Sequence, residues 1–553
     1  MALSYLIGLP VLVTFYNTFL ANESGGFGFG YVTALFTISS HSNSLLNLLL
    51  VAVGSTCLAL VVGSWLAWVI ARTDTPWRRI LEVLIIFPIF LSTLAVAIAW
   101  FFLGSPRAGL INLILRTFLN SDGFVNVVSP AGVISVMGLS YAPYVFLFTV
   151  GAFKSIDTSL EEASTILGGS WFQTLRRVAM PLILPSLMAS AIVVFLTATA
   201  EFAIPAILGY PAGFVPASVA IYEDTSATYP PRYDEAFALS AVLLLVGLVL
   251  LLLYRKVVGV SSSRFATIVG RGYRTNLVKL GRWKWLAWLT GVIYVLLSVV
   301  LPFSALVYAS FTNYLSPQFT PGNFNLWGNF STAFQIVYAL PAIINTLILA
   351  GVGSSITIML GFLSSHTIVK TDYSGRKAID YFTVLPIAVP GIVLGLGIFW
   401  TYLIFPIPSW IRASLLMLLI AGIAHNIPFA VRSLSASLLQ VSKELEESST
   451  LLGAAPFQTF RRVLIPTVKT PILASWTLLI IFFMRELSTI IFLVTPNTTV
   501  LSVLIWDTLQ EYTGNVGAAL SLIQTVMMLV TVLVLRRVLR VSLSMGAYDA
   551  YRG

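Results

Sequence analysis

Charged residues, cysteine and histidine are all scarce in this sequence. Only 9% of the 553 residues are Asp, Glu, Lys or Arg, whereas roughly a quarter of the residues of an average soluble domain are charged. Hydrophobic residues make up 58% of the chain, which is more apolar surface than a soluble fold of this length can bury. Because a segment inside a bilayer must satisfy its own backbone hydrogen bonds, long apolar runs favour helices. We therefore predict an all-α polytopic membrane protein.

The missing residue types and motifs exclude several kinds of site. The single Cys57 excludes an intrachain disulfide and a CxxC metal site. The three histidines, His41, His366 and His425, are scattered and form no recognisable metal-binding pattern, so we predict no metal site. The sequence also contains no GxxxxGK[ST], HExxH or GxSxG motif. We therefore predict no catalytic residues and no cofactor bound by this chain.

Twelve segments are apolar over roughly the 20 residues that a helix needs to cross a bilayer. The first is short and contains Gly8-Leu9-Pro10. An uncleaved signal-like segment is the alternative there, but the positive charges of a signal peptide are missing. The predicted spans are residues 3–20, 45–71, 80–103, 131–153, 182–209, 236–258, 285–309, 339–368, 379–404, 413–436, 470–494 and 515–535.

Lysine and arginine are distributed unevenly between the two sides of these spans. Basic clusters such as Arg176-Arg177 and Arg461-Arg462 fall on one side, whereas the opposite loops hold only four arginines: Arg107, Arg116, Arg232 and Arg412. Because cytoplasmic loops are enriched in basic residues, we predict a plasma- or inner-membrane protein. Both termini lie in the cytoplasm if the first span crosses the membrane. The same rule accounts for the net charge of +10 without a nucleic-acid partner.

One segment occurs twice and organises the chain. Residues 161–190 align without a gap with residues 446–475 at an offset of 285, and half of the aligned positions are identical. We call them the first and second repeat segments. Matches outside them, such as Pro143 with Pro428, predict two parallel six-helix repeats with pseudo-twofold symmetry. The predicted domains are residues 1–258 and 285–536, joined by a basic linker, 259–284, and followed by a cytoplasmic tail, 537–553.

A shorter motif also recurs. Arg72-Thr73-Asp74 matches Lys370-Thr371-Asp372, and Pro88 matches Pro386, both at an offset of 298. The longer offset is explained by a longer outer loop near residues 104–130. These matches extend the repeat to most of each half of the chain.

Each repeat segment has the capping and breaking residues of two short helices joined by a glycine turn. In the first segment, Thr158 and Glu161 fit a capping box, Gly168 is a helix stop, Gln173 favours a new helix start, and Pro181 should end that helix. The corresponding residues of the second segment are Ser442, Gly453, Pro456 and Pro466. A basic loop lying on lipid headgroups is one interpretation. A docking element for two identical soluble subunits also explains the duplicated spacing.

The repeat segments resemble the EAA loop of ABC-importer membrane subunits, in which EAA, three residues, G, nine residues and I-x-L-P follow one another. Here the pattern reads Glu162-Ala163-Ser164, Gly168 and Pro181, and then Glu447-Ser448-Ser449, Gly453 and Pro466. The resemblance covers nearly the whole chain as two fused type I permease domains. It implies that each segment is a coupling helix docked on an ATP-binding subunit. It also implies two copies of that subunit, which would carry the ATP and Mg, and an extracytoplasmic substrate-binding protein.

Charged residues within the predicted spans are candidates for a transport path. Glu201 and Glu486 are related by the offset of 285, and Arg485 precedes the second of them. A carboxylate inside a bilayer is costly and is a functional candidate for that reason. Pro143 and Pro428 should kink spans around the centre. These residues predict an outer gate; the alternative is a pair of interfacial carboxylates that reach headgroup water, with kinks that serve packing alone.

The substrate is suggested only by resemblance. Residues 484–493 and 499–507 look like the second half of fused ferric-iron importer permeases. Permeases for thiamine, polyamines and 2-aminoethylphosphonate share much of this pattern and remain alternatives. An ion-coupled secondary transporter is the rival of another class, but such a protein usually needs an ion relay at the midplane, which the predicted spans lack. A membrane enzyme is a third option without a catalytic constellation to support it.

Overall fold

The part of the chain that the structure describes is built from helices joined by turns and loops. The computed structural model describes residues 7–19, 28, 30–119, 125–156, 164, 166–168, 170–265, 277–316, 321–405, 408–511 and 514–539. Within these ranges the β-type pairings are two isolated bridges, Thr73 with Val278 and Thr312 with Phe324. The prediction of an all-α polytopic membrane protein is thus confirmed.

Eight helices are long and apolar enough to cross a membrane by themselves. They coincide with predicted spans, because the apolar runs of the sequence are the segments that can be buried in lipid without exposing backbone polar groups. These helices are Ser39–Arg72, Pro130–Lys154, Met180–Ala200, Tyr233–Val257, Gly281–Ser310, Ala339–Lys370, Leu415–Leu439 and Gly514–Val538.

Four further apolar stretches are pairs of helices with a sharp bend between them. The total reaches twelve if each pair is counted as one span. The pairs are Arg78–Phe90 with Thr93–Gly104 (100°), Pro205–Ala212 with Ala217–Ala227 (91°), Arg376–Ile387 with Gly391–Ile404 (110°) and Phe457–Thr467 with Lys469–Arg485 (73°).

The predicted spans at 80–103 and 379–404 are therefore each interrupted by a sharp bend. Pro88 lies in a short 3-10 turn, Phe87–Phe90, and Pro386 lies in the matching turn, Leu385–Ile387. Proline has no backbone N–H to donate and its ring clashes with the preceding turn, so the α-helix ends there. The matched prolines thus lie in the 3-10 turns that precede the two bends.

The first predicted span is described only in part. The helix Leu9–Phe19 has 11 residues, which at about 1.5 Å per residue is roughly half the thickness of a bilayer core. Residues 1–6 and 20–27 lie outside the described part of the chain, so a crossing at 3–20 stays a prediction. Of the predicted linker and tail, residues 266–276 and 540–553 also lie outside it.

Residue contacts divide the chain into two compact units whose boundaries differ from those of the sequence repeat. We call Thr33–Asn329 the N-terminal unit, and Met1–Val32 together with Phe330–Gly553 the C-terminal unit. The first helix of each repeat is thus counted with the unit that holds most of the other repeat. The domain boundaries predicted from the repeat stay a prediction.

In the C-terminal unit, the helix Leu9–Phe19 packs beside Gly391–Ile404. A Cβ at Gly397 would lie 2.8 Å from the carbonyl oxygen of Pro10, and the Trp400 Nε1–H donates to Asn17 Oδ1 at 3.0 Å. Small residues allow such close helix contacts in membrane proteins. Gly397 therefore allows the two helices to approach closely.

In the N-terminal unit, the helix Lys284–Val295 is held in a comparable way. A Cβ at Gly291 would lie 2.5 Å from the side chain of Leu81, and the Tyr294 hydroxyl donates to the carbonyl of Leu139 at 3.1 Å. The Trp65 Nε1–H donates to the Thr290 hydroxyl at 3.0 Å. Residues near 285–295 are therefore anchored among helices of the first repeat.

Candidate functional site

The second repeat segment has the predicted helix–turn–helix structure. The helix Lys443–Leu451 is followed by Gly453, a short helix, Pro456–Thr459, and a π-helical turn, Phe460–Leu464. Ser442 occupies the predicted capping position, but its hydroxyl makes no capping bond to the helix backbone. Hydrogen bonds from the backbone N–H of Glu444 and from the Ser442 hydroxyl lower the pKa of the Glu444 carboxyl instead.

Gly168 and Gly453 turn the chain in both copies. Their φ angles are +77° and +82°, in the left-handed region that costs an L-residue roughly 1–2 kcal/mol. An added Cβ would meet no atom within 4 Å at either position. The requirement for glycine therefore comes from the backbone conformation and not from lack of space.

A hydroxyl pair joins the two sides of the turn in both copies. Ser449 Oγ lies 2.9 Å from Thr459 Oγ1, and Ser164 Oγ lies 2.8 Å from Thr174 Oγ1. These serines occupy the third position of the EAA-like pattern, where alanine could not form the bond. Glu162 and Ala163 lie outside the described residues, whereas Glu447 and Ser448 lie on the helix Lys443–Leu451.

The start of the second short helix is capped as predicted in the first copy. The Ser170 N–H donates to Gln173 Oε1 at 3.0 Å, and the Gln173 N–H donates to Ser170 Oγ at 3.4 Å. In the second copy the Ala455 N–H donates to Gln458 Oε1 at 3.2 Å. Alanine has no hydroxyl to return the bond, so only half of the capping box is present there.

Two large apolar side chains next to each glycine turn are almost fully exposed. The exposed fractions of Ile166 and Leu167 are 85% and 87%, and those of Leu451 and Leu452 are both 88%. These pairs are equivalent at the offset of 285. Exposed apolar patches commonly mark interaction sites. We call these residue pairs the first and second apolar tips.

The other side of the segment is fixed to the spans. In the second copy, the Phe460 ring lies 5.1 Å from Phe362 between ring centroids, and Leu464 and Val468 are buried in the same cluster as Leu438. In the first copy Ala179 and Ile183 are buried in an apolar cluster with Ile70. The segment thus has one face that packs against the spanning helices, which we call the seated face, and one exposed tip.

Pro181 does not end a helix in the first copy, so that prediction is wrong. The π-helical turn Leu175–Ala179 passes directly into the helix Met180–Ala200, with Pro181 in its first turn. A proline is tolerated there because the first N–H groups of an α-helical segment need no partner four residues back. In the second copy the chain bends by 73° beyond Thr467, close to Pro466.

Glu201 and Glu486 stand where the next helices stop. Each is the residue directly after a helix, Met180–Ala200 or Lys469–Arg485, with ψ near the extended value. The predicted spans 182–209 and 470–494 are therefore interrupted at the glutamates. The main-chain oxygens of the two glutamates accept hydrogen bonds from the hydroxyls of Ser218 and Ser502 respectively. We call these positions the two glutamate junctions.

The side-chain environments of the junctions differ. Glu201 Oε2 accepts from the Tyr141 hydroxyl at 2.7 Å, and Oε1 accepts from the Ala203 N–H at 3.1 Å. Glu486 Oε1 accepts from the Thr489 N–H at 3.0 Å, and Oε2 lies 3.7 Å from Nε2 of His425. The first carboxylate is bound by neutral donors and the second faces an ionisable ring.

The remaining candidate path residues lie in ordinary helical surroundings. Pro143 and Pro428 are buried inside the unbroken helices Pro130–Lys154 and Leu415–Leu439. The guanidinium of Arg485 lies 4.9 Å from the centroid of the Phe482 ring. A gating role for these three residues stays a prediction.

Sequence analysis missed one ionisable cluster in the N-terminal unit. His41 Nε2 lies 3.2 Å from Asp224 Oδ2 and 3.1 Å from Glu235 Oε2, residues far apart in the chain and in no motif. This is a group that has the ligand types of a metal site. However, Arg232 contacts Asp224 at 2.7 Å and Glu235 at 3.2 Å, so one cation already pairs with both carboxylates. The cluster is accounted for by these ion pairs.

Comparison with known proteins places the chain in a family. The family described as binding-protein-dependent transport system inner membrane component matches residues 59–314 and 357–542. These matches cover more than half of the chain, so the chain belongs to this family and contains its domain twice. It is a multi-pass membrane component of a transport system.

The individual proteins compared below are 21–28% identical to this chain. The ferric transport system permease protein FbpB of Actinobacillus pleuropneumoniae is 26% identical over 548 residues, covering 96% of this chain and 75% of that protein. A probable sulfate transport system permease protein, cysT, of Nephroselmis olivacea is 28% identical over 48% of this chain and 92% of its own. A crystal structure of a bacterial alginate ABC transporter contains a chain with a TM-score of 0.40 and 21% identity, covering 47% of this chain and 97% of that one.

Proposed function

We propose that the chain is the membrane permease of an ATP-driven importer, and that its repeat segments bind two copies of one ATP-binding subunit. The observation that carries this proposal is the pair of apolar tips, which expose equivalent residues next to glycine turns of nearly equal φ. Two equivalent tips are expected to bind two identical copies of one subunit. The sequence has no GxxxxGK[ST] motif of its own, so ATP and Mg would be bound by the partner subunits.

The seated face of each segment suggests how the partner acts on the spans. When the ATP-binding subunits close on ATP, they would carry the two tips with them. The apolar contacts of Phe460 and Leu464 would pass this displacement to the spanning helices. A central path would then open toward the outer face, where an extracytoplasmic binding protein delivers the substrate, and hydrolysis would reset it.

Ferric iron is the substrate that we propose. The ferric permease relative matches 96% of this chain, whereas the sulfate permease relative matches 48%. Thiamine, polyamines and 2-aminoethylphosphonate remain the alternatives from the resemblance in the sequence. The extracytoplasmic binding protein is expected to set most of the specificity, so its ligand decides among them. Both termini would lie in the cytoplasm, as the distribution of basic residues indicates.

The docking proposal is tested by substituting both turn glycines. Gly168→Leu with Gly453→Leu forces a side chain into the left-handed conformation and should distort both tips. We expect the ATP-binding subunit encoded with this gene to be lost on co-purification, and ATP-driven uptake to be lost with it. Gly281→Leu is the matched control, because Gly281 also has a positive φ, +57°, with open space around it. A double variant that binds the subunit and transports normally would show that the tips are not the docking element.

The substrate is tested on the binding protein encoded beside this gene. Its thermal unfolding is measured with Fe(III), sulfate, thiamine, a polyamine and 2-aminoethylphosphonate. We expect Fe(III) alone to raise the melting temperature, because a ligand that binds only the folded state stabilises it by mass action. A shift with one of the other compounds would replace iron as the substrate and leave the permease role intact.

A further inference from the structure

The matched Arg72-Thr73-Asp74 and Lys370-Thr371-Asp372 motifs have no part in the docking surface. The first residue of each motif is the last residue of a long spanning helix, Ser39–Arg72 or Ala339–Lys370. Arg72 is 3% exposed and the Lys370 side chain is 5% exposed. A buried cation is costly unless it is paired, so the position of its partner shows what it does.

Both cations bind the same carbonyl position. Arg72 Nη1 donates to the carbonyl oxygen of Ile156 at 3.2 Å, and Lys370 Nζ donates to the carbonyl oxygen of Val441 at 2.7 Å. Ile156 and Val441 are equivalent at the offset of 285. Each lies two residues beyond the end of a spanning helix, where the chain turns toward its repeat segment. The contact therefore ties the end of one span to the base of the segment.

Lys370 also reaches the second repeat segment itself. Its Nζ lies 3.0 Å from Oε1 of Glu446, on the first helix of that segment. One ammonium group thus joins a spanning helix, a helix end and the segment. The equivalent of Glu446 in the first copy, Glu161, lies outside the described residues.

The threonine of each motif, and the aspartate of the first motif, bind backbone groups near the cation. The Thr73 hydroxyl donates to the carbonyl of Val69 at 2.6 Å, and the Thr371 hydroxyl donates to the carbonyl of Thr367 at 2.7 Å. Asp74 accepts from the Leu280 N–H at 2.9 Å. Asp372, on the other hand, pairs with Arg376 at 2.9 Å. Only the basic residue makes the same contact toward the segment in both copies.

We propose that Arg72 and Lys370 are positioning residues that couple movement of each repeat segment to its long spanning helix. The role rests on the proposed function, because it needs a partner that moves the segments. Without the cation, the carbonyl at the base of the segment loses this donor. The apolar contacts of Phe460 with that helix remain in the second copy, so a displacement of the segment is passed to the helix less completely.

The first part of the test uses the permease alone, in lipid nanodiscs. Amide hydrogen exchange over residues 443–452 is compared between the wild type and Lys370→Met, which keeps the length of the side chain and removes its donors. Loss of a charge-assisted hydrogen bond should speed exchange about tenfold. Lys370→Arg should restore the wild-type rate, because arginine makes this contact in the first copy. Lys377→Met, at an exposed lysine nearby, is the control and should change nothing.

Glu446→Gln separates the two contacts of Lys370. It removes the ion pair and keeps the bond to the Val441 carbonyl, so exchange should rise by a smaller factor, about threefold. Wild-type exchange in both Lys370→Met and Glu446→Gln would overturn the proposal, because the cation would then not hold the segment.

The second part uses the permease with its ATP-binding subunit, and needs no substrate. In the wild type, ATP with orthovanadate should change exchange both in the second repeat segment and in the helix Ala339–Lys370. In Lys370→Met the change in the helix should fall about tenfold while the segment still responds. An undiminished response of the helix would overturn the coupling role even if the segment is loosened.

The same comparison is made in the first copy, with Arg72→Met, Arg72→Lys as the rescue and Arg79→Met as the exposed control.

Co-purification separates failure of this proposal from failure of the proposed function. If the ATP-binding subunit does not bind the wild-type permease, the proposed function is wrong. If it binds and the variants behave like the wild type, only the coupling role is wrong.

Discussion

The two repeat segments and the two glutamate junctions are both duplicated, but they have diverged to different degrees. The segments keep the same glycine turn, the same serine–threonine pair and equally exposed tips. The junctions keep the backbone break, its serine donor and a backbone N–H bound to the carboxylate, but Tyr141 binds one carboxylate and His425 faces the other. If both segments bind the same partner, as proposed above, neither copy can diverge alone. The junctions are free of that constraint, and we infer that they have different tasks.

The largest expected effect comes from breaking the equality of the tips. Leu451→Ser with Leu452→Ser removes two exposed leucines from the second tip, and Ile166→Ser with Leu167→Ser does the same in the first. Because buried interface anchors dominate binding energy, each pair should weaken binding of the ATP-binding subunit roughly thirtyfold or more. Titration of the purified permease with that subunit measures it.

The control for the tip variants is Leu439→Ser. Leu439 is 71% exposed and ends the spanning helix before the second segment, outside the tip. It should leave binding unchanged. If altering one tip leaves binding of the ATP-binding subunit unchanged while altering the other weakens it, the two tips are not equivalent binding surfaces for one subunit.

A smaller effect is expected at the junctions taken together. Glu201→Gln with Glu486→Gln removes both negative charges and keeps the shape of the side chains. Uptake should fall about tenfold if a cationic or metal-bearing substrate passes the carboxylates, while binding of the ATP-binding subunit stays the same. Unchanged uptake would favour the interfacial interpretation of both residues.

The two junctions should also differ in what they contribute to stability. Glu201→Ala leaves the Tyr141 hydroxyl and the Ala203 N–H without their acceptor, at a cost of roughly 1–3 kcal/mol for a buried unpaired group. Glu486→Ala removes one backbone contact, from Thr489, and a longer contact with His425, so it should cost less. Thermal unfolding in the same detergent compares them, and an equal loss would contradict the difference in their roles.

The smallest effect is expected for the hydroxyl pairs. Ser164→Ala with Ser449→Ala removes both serine–threonine bonds, each worth about 1 kcal/mol, and restores the alanine of the EAA pattern. Binding of the ATP-binding subunit should weaken less than about fivefold. A loss as large as that of the tip variants would mean that the hydroxyl pair, and not the apolar tip, determines the docking geometry.

Much of the fold could be predicted from the sequence because the burial of apolar segments in the membrane determines most of it. Apolar runs had to become helices, and the repeat offset placed the equivalent glycines, serines and glutamates in advance. Gly168 and Gly453 were predictable because a positive φ at a helix end favours glycine.

The features that could not be predicted share one cause: they depend on contacts between residues far apart in the chain. Nothing local distinguishes Pro88, which breaks its helix, from Pro143, which lies inside one. The contacts of the Arg72 motif and the meeting of His41 with Asp224 depend on residues distant in the chain, and no local pattern encodes them. A single sequence reports what a segment prefers, but not which distant segment it meets.

The packing of Leu9–Phe19 against Gly391–Ile404 has a consequence for biosynthesis. Gly397 is made 387 residues after Pro10, the residue it touches. During synthesis at roughly 5–20 residues per second, the first helix must wait tens of seconds for its neighbour. The nascent chain therefore has to keep an unpacked helix available until most of the protein has been inserted.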